Sequence, residues 1–376
     1  MSEDNRTIQG DELNPIQRVD IRYTDENGNA YGIKQVNNKI RVSSMPYLYD
    51  ISEGNISGHE PFILIGKNGD VDAATETLWG VGGGYVPPAP RMQMEVVSSD
   101  AQDTGVVIKN GTSDSITKVA TVDGGRSMTL TDAAVDFGAA TAVVIGDCVL
   151  LDGDMINGLV TNVNVNDITF LTYYVGTLTS AQDYRVVDAS TGGTGVKVAT
   201  VHYLNSDYEE NSEFIVTNGL TAVVTVADQI IRINRFHAIF RGTAGGAVGR
   251  VDIRHLTNAP IYGSIPVGFN SNEDCFYTVP TGKTLYITRW NMGSGFSTAN
   301  RLVQSWLRTT SSHNGEYTID RWDTKDMMLT QDGIHTNGFD TPIKVPARAD
   351  VKISVACPET NAIAVGHIVG WLEDAE

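Results

Sequence analysis

Four carboxylates and two aromatic rings crowd one stretch of this chain: Glu316, Tyr317, Asp320, Trp322, Asp323 and Asp326. Paired acids beside rings are the equipment of a glycan cleft, in which one carboxyl protonates the leaving oxygen and the other attacks or activates water. That chemistry turns on the separation of the two carboxyls, and a solvated loop accounts for the same residues. Asp70 with Asp72, and Asp152 with Asp154, stand where a turn could hold a hard cation, but Asp is a turn residue in its own right. Residues 25–29 space oxygen donors like a calcium loop, yet the sixth position is Ala30 rather than glycine and no Glu stands at the twelfth.

The other nucleophiles and ligands are scattered. His59, His202, His237, His255, His313, His335 and His367 form no pair four apart and no HExxH motif. His237 and His255 fall in strand-like sequence and read as hydrogen-bonded structural residues. Cys148, Cys275 and Cys357 lie far apart without a CxxC, so buried free thiols are expected rather than a disulfide framework or a zinc site. Gly293-Ser294-Gly295 lacks the nucleophile-elbow pattern. No Lys-Ser or Lys-Thr follows Gly82-Gly83-Gly84, which reads as a close-packed turn rather than a phosphate cradle. The expectation is a protein with no catalytic, cofactor-binding or metal-ligating residues, and not an enzyme.

The elements that would position any of these groups are strands. Short alternating apolar runs are punctuated by Gly and Asn turns almost from end to end, as in all-β proteins. Residues 19–23 and 31–36 flank Asn27-Gly28, a hairpin signal because both turn residues accept positive φ. Residues 46–92 read as irregular, with Pro87-Pro88-Ala89-Pro90 extended. Six short strands, 116–122, 127–130, 143–151, 158–165, 167–174 and 184–187, form a block of their own that suits a small barrel. Strands resume at 196–204, and Val279-Pro280 and Val345-Pro346 each open a bend and an alternating strand, as in a sandwich of two sheets. Residues 362–372 alternate cleanly and are expected to close a sheet, and only 323–329 looks weakly helical. The resulting map has an N-terminal arm and hairpin (1–45), a first β-sandwich or jelly-roll-like domain (46–105 plus 191–260), an inserted β-barrel (106–190) and a C-terminal β-sandwich (261–376).

Acids outnumber bases 45 to 27 over 376 residues, giving a formal net charge of −18, and there is no basic run. Nucleic acid is therefore not an expected partner, since phosphate contacts need clustered Lys and Arg. Residues 1–14 are polar and acidic, unlike a secretory signal. No apolar run approaches the length of a membrane span, so membrane insertion is not expected.

Three stretches carry a resemblance. The first is Met45-Pro46-Tyr47-Leu48-Tyr49-Asp50-Ile51 through Gly58-His59, running on to Gly66-Lys67-Asn68-Gly69 and Trp79-Gly80-Val81-Gly82-Gly83. The second is Glu95-Val96-Val97-Ser98-Ser99-Asp100-Ala101-Gln102-Asp103, which rejoins Gly193-Thr194-Gly195-Val196-Lys197-Val198 and Tyr203-Leu204-Asn205-Ser206-Asp207-Tyr208 beyond the inserted block. The third is Val279-Pro280-Thr281-Gly282-Lys283-Thr284. Together they resemble virion structural proteins of tailed bacteriophages, especially of aquatic phages, over most of residues 45–290 apart from the insert. The insert, with Leu130-Thr131-Asp132, Phe137, Gly146-Asp147 and Tyr184, looks like a small β-domain recurrent in phage structural proteins.

The resemblance implies a non-enzymatic component of the particle exterior, decorating the head or attached at the neck or tail, and assembled in the host cytoplasm. None of its motifs is catalytic. The expected partners are further copies, as a homotrimer, and other virion proteins such as capsid or neck and tail proteins. Host surface glycan is the partner under the alternative reading, a tail-associated glycan-binding or glycan-cleaving adhesin built on residues 316–326.

Overall fold

In a computed structural model of the chain, the described residues are 22–24, 30–32, 51–52, 54, 56–85, 88, 92–119, 126–139, 142–172, 178–257, 259–296, 302–311, 322–331, 333–358 and 362–375. The fold is all-β and sandwich-like, as the alternation predicts. The chain forms two compact units, Met1–Ile56 and Ser57–Glu376. In the first, Arg22–Thr24 pairs antiparallel with Ala30–Gly32, with Tyr23 opposite Tyr31, which is the hairpin signalled by Asn27-Gly28. The expected arm at 1–15 and most of 87–90 lie outside the described residues.

The second unit holds two pairs of facing sheets and one seven-stranded sheet. At its C-terminal end the strands Gly333–Val345, Lys283–Phe296, Ala362–Asp374 and His59–Val71 pair antiparallel in that order. The facing sheet runs Phe276–Thr278, Asp350–Ala356, Val303–Thr309, Asp323–Thr330, with Glu76–Thr77 also on Asp350–Ala356. Side chains one strand step apart point to opposite faces, so Ala364 and Ile368 enter the core while Ile363 and Val365 face out. Trp290, Ile287, Leu285, Leu307, Ile353 and Val355 fill the space between the sheets.

Several sequence expectations change here. The weakly helical stretch at 323–329 is the strand Asp323–Thr330. Pairing with Val303–Thr309, Trp306 opposite Met327, overrides the modest helix preference of Lys, Met and Leu. The irregular stretch 46–92 contains the thirteen-residue strand His59–Val71. Gly66 and Gly69 hide its periodicity, and Gly66 is there because a Cβ would lie 2.4 Å from the Cys275 side chain. Ala362–Asp374 does not close its sheet but lies inside it, between Lys283–Phe296 and His59–Val71. Pairing also crosses the expected boundaries, since His59–Val71 joins the C-terminal sheet and Ile261–Ile265 joins Val251–His255 upstream.

The other pair of facing sheets consists of Glu210–Val216, Val196–Leu204 and Arg232–Arg241 against Val223–Val224, Met94–Ser98, Val251–His255 and Ile261–Ile265. Met94, Val96, Val201, Ile233, Phe236 and Ile253 are its core. Between Met94–Ser98 and Val196–Leu204 the chain makes the seven-stranded sheet. Its order is Val107–Thr112, Asp183–Val187, Cys148–Leu151, Ile156–Val163, Asp167–Thr172, Ser127–Thr131, Ser115–Lys118. The strand Val107–Thr112 adds to the six expected from sequence. The two end strands are consecutive in the chain, joined by Ser113 and Asp114 alone. Ser113 N–H bonds Gln182 O (3.0 Å) and Asp114 N–H bonds Thr131 O (2.9 Å). The two-residue link draws the linked ends of the edge strands together, so the sheet curls around a core of Met128, Leu130, Phe137, Leu151, Val160, Phe170 and Val186.

Candidate functional site

Of the acids singled out from sequence, Asp152, Asp154 and Asp326 are engaged in holding the fold. A register shift between Leu307 and Arg308 leaves Lys325 unpaired and puts Asp323 and Asp326 on the same face of their strand. Asp326 accepts from Trp290 Nε1 (2.7 Å) and Asn337 Nδ2 (2.6 Å) and so ties the two C-terminal sheets together. Asp323 is exposed beside Lys325 (3.7 Å), and Lys352 Nζ stands 4.1 Å over the Trp322 ring. Glu316, Tyr317 and Asp320 lie outside the described residues, as do Asp25, Asn27 and Asn29. Asp152 accepts from Arg185 Nη2 (2.6 Å) and Nε (3.0 Å), and Asp154 accepts from Thr179 N, Thr179 Oγ1 and Gln182 Nε2. Among the described residues no group of three His, Cys, Asp or Glu side chains could hold a metal. The three cysteines are free and buried, and burial pushes the Cys148 thiol up to about 12.

His255 Nδ1 closes a turn with Thr257, N–H and Oγ1. His237 is half-buried and stacks on His202, ring centroids 5.2 Å apart and planes within 7°. Thirty-five positions separate the two, so nothing in the sequence pairs them; only the register Thr200↔His237 and His202↔Arg235 does. Burial, then the nearby Arg235, holds His202 down at about 4; burial, Arg235 and His202 hold His237 down at about 3.

The resemblance-bearing pieces on either side of the seven-stranded sheet meet in space. Asp103 is fully buried and accepts from Ser98 Oγ (2.6 Å), Val196 N (2.8 Å), Val248 N (3.0 Å) and Gly249 N (2.8 Å). Gly193 N–H bonds Thr104 O (2.8 Å) and Gly195 N–H bonds Gln102 O (2.9 Å). Only glycine fits there: a Cβ on Gly193 would stand 1.8 Å from Gln102 O, and one on Gly195 2.0 Å from Asp103 Oδ1. At the same neck the buried Lys197 donates to the carbonyls of Asp188 (3.1 Å), Ala189 (2.7 Å) and Thr191 (2.6 Å). A buried ion pair, Arg232 with Asp350 (3.2 Å), links Arg232–Arg241 to the C-terminal sheet.

What faces outward is different in kind. The strands Gly333–Val345 and Asp323–Thr330 are the edges of their sheets among the described residues, on the same side of the sandwich. Met327, Leu329 and Ile334 are exposed there, Ile334 at 81%. On the outer face of the same sheet Ile63 (65% exposed), Ile65, Ile363 and Val365 stand open beside Arg289 and His367. The sequence signal for this surface was the outward half of clean alternation, apolar where a solvated face would be polar. Compared with protein-family models and with curated proteins, the sequence finds no match in either.

Proposed function

We propose that this chain is a non-enzymatic structural component of a tailed-phage virion on the particle exterior, as a capsid decoration or head-associated protein or at the neck or tail, working by self-assembly and surface contacts. One observation carries the reading. Asp152, Asp154 and Asp326 are spent on holding the fold, while the exposed side of the C-terminal sandwich offers apolar side chains and strand edges unpaired among the described residues. An edge of that kind is a template for another chain. The convergence of Ser98-Ser99, Asp103 and Gly193-Thr194-Gly195 at one buried carboxylate supports treating the two halves of the resemblance as one motif interrupted by an insert.

The test is antibody labelling of intact particles together with light scattering of the purified protein. Labelled heads, necks or tails and a stable assembly of identical chains are expected. Absence from particles and a monomer at high concentration would overturn the proposal. Release of reducing ends from host surface polysaccharide, lost in Asp323→Ala, would favour the glycan-cleaving alternative instead.

A further inference from the structure

Proteins protect exposed strand edges with charge, proline or bulges. By that criterion Gly333–Val345 divides in two. Its second half carries Asp340, Pro342 and Lys344; its first half, Gly333-Ile334-His335-Thr336-Asn337-Gly338-Phe339, has no acid, lysine, arginine or proline. The opposite edge of the same sheet is guarded along its length by Glu60, Pro61, Lys67 and Asp70, and Lys67 N–H is already spent on Glu273 O (3.0 Å). The unguarded segment sits beside an outer sheet face that presents Ile63, Ile65, Ile363, Val365, Arg289 and His367. A chain of net charge −18 repels its own copies, so contact between them is favoured where acids are missing.

We propose that Gly333–Phe339 is a self-pairing edge: two copies of this chain join antiparallel through it about a two-fold axis at Thr336, fusing two four-stranded sheets into one. This rests on the self-assembly reading above and names its surface. In that register Thr336 faces Thr336, His335 faces Asn337 and Ile334 faces Gly338 of the second copy. The space where a Gly338 side chain would stand is empty, and the exposed Ile334 covers it, as large side chains cover glycine across strands. Asp340 and Lys344 fall outside the ladder; by the same register Asp340 comes level with Asp332 of the second copy at each end, so the pairing tightens as salt screens those acids. A two-fold contact uses the same patch on both chains and closes with two copies.

The experiment is sedimentation equilibrium of the full chain across a concentration series. Dimers are expected in the wild type. Thr336→Lys sets two ammonium groups face to face on the axis and weakens association at least about tenfold, Ile334→Lys does the same, and Ile63→Lys on the guarded edge leaves it unchanged. Thr336→Cys gives a covalent dimer on mild oxidation, without interference from the buried native thiols, and keeps the proposal testable should a lysine variant fail the circular-dichroism check of folding. Assemblies indifferent to both lysines, or no covalent dimer, overturn the edge pairing while leaving self-assembly standing. A monomer at every concentration overturns both.

Discussion

The seven-stranded sheet and the C-terminal sandwich solve the same problem in opposite ways. In the first, the chain passes directly from one edge strand to the other through Ser113-Asp114, which draws the two edges together at one corner of a curled sheet. In the second, Gly333–Val345 and Asp323–Thr330 end their sheets with nothing beyond them among the described residues. An edge curled towards the other edge of its own sheet leaves an outside strand less room, whereas an open edge must be guarded or used. The curled sheet has a core of its own and also packs Cys148, Leu150 and Val187 against Val198, Phe214 and Phe240 of the neighbouring sheet, whereas the C-terminal sandwich leaves the edge to which the self-pairing proposal assigns a second strand.

Four predictions break or sharpen that contrast. Asp103→Ala has the largest effect, because it strands the N–H groups of Val196, Val248 and Gly249 inside the protein. A loss of about 3–6 kcal/mol is expected by urea denaturation. The seven-stranded sheet, with its own core, keeps a separate transition in calorimetry; a single shared transition would erase the distinction. Arg232→Ala leaves Asp350 buried and uncompensated and costs about 3–5 kcal/mol, whereas Arg232→Met with Asp350→Leu recovers most of that, in the same denaturation assay.

Lys197→Met removes the donor to three carbonyls at the neck and costs about 2–3 kcal/mol. Limited proteolysis then cuts between residues 188 and 195 faster than in the wild type, and cutting elsewhere first would show that the neck is not the weak point. The smallest effect is the pH response of the His202–His237 stack. Both imidazoles titrate lower in the fold (about 4 and about 3) than their ordinary 6.5, so below pH 6.5 the unfolded chain binds protons the folded one refuses. Stability from this pair is intact above pH 6.5 and declines as pH falls towards 4, by about 1–2 kcal/mol between pH 6.5 and 5.5. Asp274 acts in the opposite sense, since complete burial raises its carboxyl to about 7. The comparison of wild type with His202→Gln, His237→Gln isolates the histidines: the double variant flattens the decline, and parallel curves would refute the assignment.

Local order was legible where one rule sufficed. Alternation marked 362–372, and Asn-Gly marked the hairpin between Arg22–Thr24 and Ala30–Gly32. It failed where tertiary contact decides. His59–Val71 carries glycine where Cys275 packs close, and Asp323–Thr330 has helix-forming residues held flat by a neighbouring strand. Long-range sites were invisible for the same reason. Asp103 binds groups 93 to 146 positions away, and His202 meets His237 through strand register alone. The open edge could be read from its missing charges only once the sheet order was known.

Thr104 and Gly193 are bonded backbone to backbone at 2.8 Å, so the 88 residues between them leave and re-enter through a gap one hydrogen bond wide. Such a doorway lets the intervening body be exchanged, provided the replacement again covers Val198, Phe214 and Phe240. Recombination or engineering can swap in another domain with neighbouring termini, or bridge the gap with a short turn, while the rest of the chain keeps its seam.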